Sequence, residues 1–351
     1  MLAPLMMFAL GLAGPHLPPS GEPLPFGMST ALSGPTAHLG TSMKAGLLAA
    51  FEECNKAGGV HGRPLSLAAR DDAYEPAKTS TCVQALLDED QVLAIVGNVG
   101  TPTAVATIPL CAARSTAFFA PFSGSGLLRK TPPDPLVVNF RASYAEETSA
   151  MVEALLGKAG LRTDEVAFFT QRDAFGDSGY DGGIAALRKH GLASEASIPH
   201  GRYDRNSTNV EGGLADILSA PTPPRAVIMV GTYAPCAKFL KLAREGGLNA
   251  LFLNVSFVGA EALAKEAGDA AEGVIITEVV PHPDSDLKAA AEFRAALKAA
   301  DPAATPNHTA FEGYLAGRTL ILALDKSDQT PTRTSVAAAL LDLGKFDLGL
   351  G

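Results

Sequence analysis

Short apolar runs that do not alternate with polar residues constrain this chain more than any other feature. They are VLAIVG (92–97), VAFFT (166–170), AVIMVG (226–231), ALFLN (250–254) and GVIIT (273–277), all rich in Val, Ile and Phe. A strand with one face in water alternates; a continuous run needs both faces covered, as in a parallel sheet. Amphipathic helices lie between the runs. In the first, Met43, Leu47, Phe51 and Cys54 recur every three to four residues and build one buried stripe, which stops at Ala57-Gly58-Gly59. Further helices are expected near 76–88, 102–113, 144–159, 178–190, 208–219, 234–246, 286–300 and 309–326. Alternation repeated this often means an α/β architecture of doubly wound parallel sheets.

At 351 residues the chain has length for two domains of ordinary size, roughly 100–200 residues each. The Pro-rich, then extended, TPPDPLVVNFR (131–141) marks a break, after which strand–helix units start afresh. VVPHPDSD (279–286) marks a second crossing, read as the return to the first lobe. No sequence repeat is evident. The N-terminal MLAPLMMFALGLAG holds an apolar run too short for a membrane span, which takes roughly 20 residues. It fits the core of a secretory signal, although no Lys or Arg precedes it.

Composition removes several functional classes. The net charge is −9, from 28 Lys and Arg against 37 Asp and Glu, with no basic cluster. Nucleic acid and anionic lipid both demand clustered cations, so neither is an expected partner. Cys54, Cys82, Cys111 and Cys236 contain no C-x-x-C spacing. One disulfide and four buried thiols stand as equal alternatives. The His residues are scattered, so no metal site is expected. Gly176-Asp177-Ser178-Gly179 echoes the nucleophile loop of trypsin-like proteases, but those are all-β proteins with His and Asp partners. No G-x-S-x-G, Walker loop, G-x-G-x-x-G or H-E-x-x-H occurs, so neither catalysis nor a cofactor is expected.

What remains is a set of small polar loops at strand ends: Thr30–Pro35, Gly97-Asn98-Val99-Gly100-Thr101-Pro102-Thr103, and Pro121-Phe122-Ser123-Gly124-Ser125-Gly126. Open parallel sheets bind ligands outside the carboxyl ends of their strands, where helix N-termini present free N–H groups. Thr101, Thr103 and Ser123 would add hydroxyls. Capping of the following helix explains any one of them; three such loops at three strand ends point to a binding site.

At these loops the chain resembles the type 1 periplasmic solute-binding proteins of the branched-chain amino-acid (Leu/Ile/Val) ABC transporter family, over roughly residues 24–345. LSGPTAHLGTSMKAG (32–46), CNKAGGVHGRPLSLAARDDAYEPAK (54–78), VLAIVGNVGTPTAVA (92–106), VGTYAPCAKFLKLAREGGL (230–248), FLNVSFVGAEAL (252–263) and AGDAAEGVIITEVVP (267–281) carry the resemblance. It implies two Rossmann-like lobes joined by a three-crossing hinge: a leader-like segment 1–23, one lobe from 24–141 plus 281–327, the other from 142–280 plus 328–351. It implies a monomeric, soluble, non-enzymatic periplasmic receptor that closes on a small ligand for a membrane permease. Relatives that instead feed sensor kinases leave a sensing role open as an alternative.

The family's binding positions carry over one by one. The loop that holds a ligand carboxylate corresponds to Asn98–Thr103 and its partner to Phe122–Ser125. Hydroxyls survive at Thr101 and Ser123, while Gly124 stands where a threonine is expected. Leu39 and Phe175 replace pocket tyrosines, and Tyr233 sits at or beside another. Ser256, followed by Phe257, stands where an acid grips the α-ammonium. An ammonium buried without a counter-charge costs several kcal/mol. Free branched-chain amino acids are therefore expected to be poor ligands unless Asp177 or Glu278 reaches the cleft. Phe122, Phe175 and Phe257 favour a less polar ligand, such as an aromatic acid, a lipid or a sterol-like compound. Ordinary branched-chain amino-acid uptake is the alternative.

Overall fold

Strand and helix alternate as the apolar runs require. The computed structural model describes residues 19–351; the leader-like segment falls, up to residue 18, outside them. The first lobe runs β1 (Leu24–Thr30), α1 (Ala37–Lys56), β2 (Leu65–Asp71), α2 (Pro76–Asp88), β3 (Ala94–Val96), α3 (Thr101–Ala112), β4 (Ala117–Phe119) and β5 (Val137–Val138). The second runs α4 (Tyr144–Glu153), β6 (Val166–Gln171), α5 (Ala174–Lys189), β7 (His200–Tyr203), α6 (Glu211–Leu218), β8 (Ala226–Val230), α7 (Tyr233–Glu245), β9 (Leu251–Asn254), α8 (Ala260–Ala267) and β10 (Ile275–Ile276). Then follow α9 (Lys288–Ala300), α10 (His308–Asp325) and α11 (Arg333–Leu341).

Both sheets are parallel, in the orders β2-β1-β3-β4-β5 and β7-β6-β8-β9-β10. The same winding thus occurs twice, a repeat of topology that the sequence does not display. Every residue of β6 and β8 is buried, which is what continuous apolar runs demand. In each sheet the strand order reverses at the first strand, at β1 and at β6, so each lobe offers a crevice at the carboxyl ends of its strands.

The helices start and stop for local reasons. Ser143 caps α4 in a reciprocal box with Glu146, and a single π-turn (Ala154–Lys158) completes the helix expected to reach 159. Helix α5 begins at Ala174, earlier than expected, because the Asp173 carboxylate accepts the Phe175 N–H at 3.0 Å. Helix α10 packs along α1 at van der Waals limits. A Cβ on Gly46 would lie 1.9 Å from the Ala310 carbonyl, and one on Gly313 only 2.4 Å from that of Met43. This packing fixes the return segment 288–325 on the first lobe.

The C-terminal segment corrects one expectation. Residues 328–351 were assigned to the second lobe through a third crossing, yet α11 packs on β3, β4 and α10. The Arg333 guanidinium donates to the main-chain carbonyls of Val92 (2.9 Å) and Leu87 (2.5 Å), and the Gly349 carbonyl accepts the Ala289 N–H. Those carbonyls sit where α2 hands over to β3, so the arginine anchors the tail to the first lobe. Among the described residues the lobes are joined at 139–143 and 277–287. All four cysteines are free thiols; burial raises Cys111 and Cys236 to about 12.

Candidate ligand cleft

The loops at the strand ends face one another across the lobe boundary. On the first lobe, Gly97 and Gly100 have φ of 68° and 107°, the left-handed region that favours glycine. A Cβ on Gly100 would also strike the Tyr74 ring at 2.1 Å. The turn that follows brings Thr101 to the start of α3, where its hydroxyl shares a 2.7 Å hydrogen bond with that of Ser123. Asn98 and Thr103 are committed elsewhere. The Asn98 amide accepts from the Ser29 N–H and donates to Thr107, tying β3 to β1 and α3. The Thr103 hydroxyl donates back to the Val99 and Gly100 carbonyls, four and three residues earlier. Neither residue caps α3, whose N-cap is Gly100. Gly124 is small because Tyr144 lies against it: a Cβ would meet the Tyr144 ring at 2.7 Å.

The apolar residues gather. The Phe257 ring sits 4.5 Å from Phe175, 5.2 Å from Phe122, 6.3 Å from Tyr74 and 6.4 Å from Tyr144, centroid to centroid. Tyr144 is also 5.2 Å from Phe175. Phe122 and Tyr74 come from the first lobe, Phe175 and Phe257 from the second, and all are buried. Leu39 packs beneath Gly259, whose φ of 75° turns the chain after Phe257. Tyr233 stands apart at the mouth. Its phenol accepts the His38 N–H at 3.3 Å, and both residues line a pocket of about 310 Å³ with Glu261, Lys265 and Asn307.

A charged group at the hinge was not foreseen. Arg141, last residue of the extended stretch, is buried with its guanidinium 4.3 Å above the Phe122 ring. One nitrogen donates to the Ser256 hydroxyl, and Nε lies 3.4 Å from a Glu312 carboxylate oxygen. Glu147 accepts the Ser256 N–H at 2.8 Å and the Thr277 hydroxyl at 2.5 Å. Arg141 Nε and Nη1, the Tyr144 hydroxyl and Glu147 Oε1 are buried with no hydrogen-bond partner among the described residues. Burial raises Glu312 to about 7, against the pull of Arg141. Burial likewise raises Glu278 to about 8, with His308 opposing it. Burial disfavours the Arg141 charge, but Glu312, Tyr144, Glu147 and Glu278 outweigh it and its pKa is raised. Acid therefore does surround Ser256, supplied by Glu147. Asp177 instead pairs with Arg202 at 2.5 Å on the surface. The signals were present: Glu147 follows Tyr144 at helical spacing on the stripe with Thr148 and Met151, and Glu312 is a lone acid in the otherwise apolar TAFEGYLAG.

Further contacts hold the lobes together. Glu75 receives Arg205 (2.9 Å) and Asn206 (2.7 Å), Gln171 donates to the Tyr74 hydroxyl, and Glu261 of α8 receives the His308 ring at 2.7 Å. Ser178 of the GDSG motif donates to the Ala174 carbonyl and shares a hydrogen bond with Ser125 across the boundary. Gly176 is required there because a Cβ would meet the Gln171 carbonyl at 1.9 Å. The motif is lobe contact, not a nucleophile loop.

Residues 23–351 match the family model described as periplasmic binding protein. The chain belongs to that family. It is similar, at 50% identity and a TM-score of 0.91, to the crystal structure of a possible leucine/isoleucine/valine-binding protein from Rhodopirellula baltica, covering 95% of this chain and 90% of that one. A substrate-binding periplasmic protein from Ralstonia solanacearum matches at 30% identity and a TM-score of 0.86, over 93% and 91%. An amino acid binding protein of Pseudomonas aeruginosa is 25% identical over 76% of this chain and 66% of its own length, just under two thirds. The resemblance to the branched-chain amino-acid binding family thus holds, and the chain is a periplasmic solute-binding protein. The family is one of receptors, not enzymes. Among the described residues no helix is long and apolar enough to cross a membrane, and no group of side chains could hold a metal ion.

Proposed function

We propose that this protein captures, between its lobes, a small ligand with an apolar body and an oxygen-bearing head, and delivers it to a membrane permease. The observation that carries the reading is the buried aromatic cluster of Phe122, Phe175 and Phe257, drawn from both lobes, beside the Thr101–Ser123 hydroxyl pair. Small-molecule sites combine such an apolar wall with a few placed polar groups. A ligand touching both lobes shifts the population toward the closed form by its differential affinity.

A second reading is ordinary amino-acid uptake. It is favoured by the unpartnered Glu147 Oε1, which would pair an α-ammonium, and by the names of the relatives from Rhodopirellula baltica and Pseudomonas aeruginosa. The expectation that free amino acids bind poorly began from a neutral Ser256, and Glu147 on the Ser256 N–H argues against that part of it. Titration calorimetry of leucine, isoleucine and valine beside benzoate, phenylacetate, octanoate and solubilised cholesterol separates the readings. The first expects micromolar binding among the apolar compounds. Micromolar binding of the free amino acids, about −8 kcal/mol, with none from the others sinks it in favour of the second.

A further inference from the structure

We propose that Arg141 is the residue that selects a carboxylate ligand, and that Glu312 takes a proton from solvent as the guanidinium turns to that ligand. The proposal deepens the reading of the cleft given above and rests on it. It applies to an aromatic acid and an amino acid alike, because both carry a carboxylate.

The geometry is that of an ion-paired cation with donors still open. Arg141 lies at the crossing between lobes and touches both: Phe122 and Glu312 on the first, Ser256 on the second. A buried guanidinium ordinarily has its N–H fork filled, since each unpaired buried donor is costly. Here Nε and Nη1 have no hydrogen-bond partner among the described residues, although Glu312 is 3.4 Å away. The Tyr144 hydroxyl, also unpartnered, belongs to the same cluster as a further donor. The planar fork fits a carboxylate through two parallel hydrogen bonds. It sits over the ring of Phe122, within the aromatic wall, so an acid held there would lay its apolar body against Phe122 and Phe257.

Charge balance supplies the second half. The groups facing Arg141 and Glu312 are Glu147 and Tyr144 from α4, Arg129 from the first lobe, and Glu278 from the crossing, which in turn faces His308 and Glu261. Once the guanidinium turns to a ligand carboxylate, Glu312 is left buried without its ion-pair partner, which favours its protonated form. Glu312 is the acid beside Nε, and with burial raising it to about 7 it accepts a proton near neutral pH. One O–H bond forms on the Glu312 carboxylate as one breaks on hydronium or the buffer acid, and no other covalent bond changes. For a ligand bound with one proton, affinity falls by about tenfold per pH unit above the titration of Glu312.

The test uses two acid–amide pairs, benzoate with benzamide and leucine with leucinamide, titrated at pH 6.5 and 8.5 in buffers of different ionisation heat. The expected result is that an acid binds at least tenfold tighter than its amide, takes up about one proton at pH 8.5, and weakens as pH rises. In Glu312→Gln, nearly isosteric and therefore foldable, uptake disappears and affinity at pH 8.5 rises. Arg141→Lys, checked for its melting temperature, should lose most of the acid-over-amide preference. Equal binding of acid and amide, or proton uptake unchanged in Glu312→Gln, overturns the proposal and leaves the cleft reading intact. Failure of all four probes to bind overturns the proposal, and failure of octanoate and solubilised cholesterol as well overturns the cleft reading.

Discussion

Residues of one loop divide by what their polar atoms already hold. Thr101 and Ser123 hold each other, so a ligand oxygen could join that pair without breaking the fold, whereas Asn98 fastens β3 to β1 and α3. Thr101→Ala and Ser123→Ala should each weaken ligand binding by about 1–3 kcal/mol, with a smaller loss of stability from the buried hydroxyl each leaves unpaired. Because the hydroxyls are mutual partners, the double variant should lose little more than either single one. Asn98→Ala should do the opposite, lowering stability by about 1–3 kcal/mol while leaving binding to the folded fraction intact, since it strands the buried Ser29 N–H. Calorimetry and denaturant unfolding on the same preparations check both. Thr101→Ala binding normally but melting much earlier would make it a cap.

At the scale of elements, the pairing of α1 with α10 positions the hinge chemistry. Gly46, Gly313 and Gly317 let the two backbones approach, and α10 carries both His308 and Glu312 to the cleft. A methyl group on Gly46 has nowhere to go but into the Ala310 carbonyl at 1.9 Å. Gly46→Ala should therefore cost about 1–3 kcal/mol of stability, as overpacking does, and should disturb ligand affinity by moving Glu312. A variant with unchanged unfolding midpoint and affinity would show that α10 is not held by this contact. The neighbouring Gly34→Ala, with nothing within 4 Å but a φ of 80°, separates backbone strain from overpacking.

For the molecule as a whole, the proposed function calls for the lobes to close on a ligand. The lobes touch through Glu75 with Arg205 and Asn206 on one side and through Glu261 with His308 on the other. A cleft ligand should reduce the radius of gyration measured by solution scattering. Glu75→Ala removes an inter-lobe latch beside Tyr74, at the edge of the aromatic cluster. Its groups are partly exposed, so the expected penalty is modest, about 1 kcal/mol or roughly fivefold in affinity. The unliganded variant should scatter as a more open particle. A scattering curve unchanged by saturating ligand in both proteins would count against a clamp.

Local pattern determined much of this protein by itself. Continuous apolar runs can be buried on both faces only in a parallel sheet, helical stripes fill the gaps, and the loops at strand ends mark where such sheets bind. Helices α8 and α11 and the strand β7 are short, and their patterns are too brief to stand out. Tertiary structure alone decided where the tail docks, because Arg333 reads main-chain carbonyls, which have no sequence signature. It also decided the charge of the cleft. Ser256 looked neutral in sequence, yet Glu147 from a helix more than a hundred positions away supplies an acid beside it, and Arg141 is brought over Phe122. An acid on a helix reads as a solvated charge until the fold buries it. Burial then depends on which residues meet across the hinge, and that is a property of the folded chain.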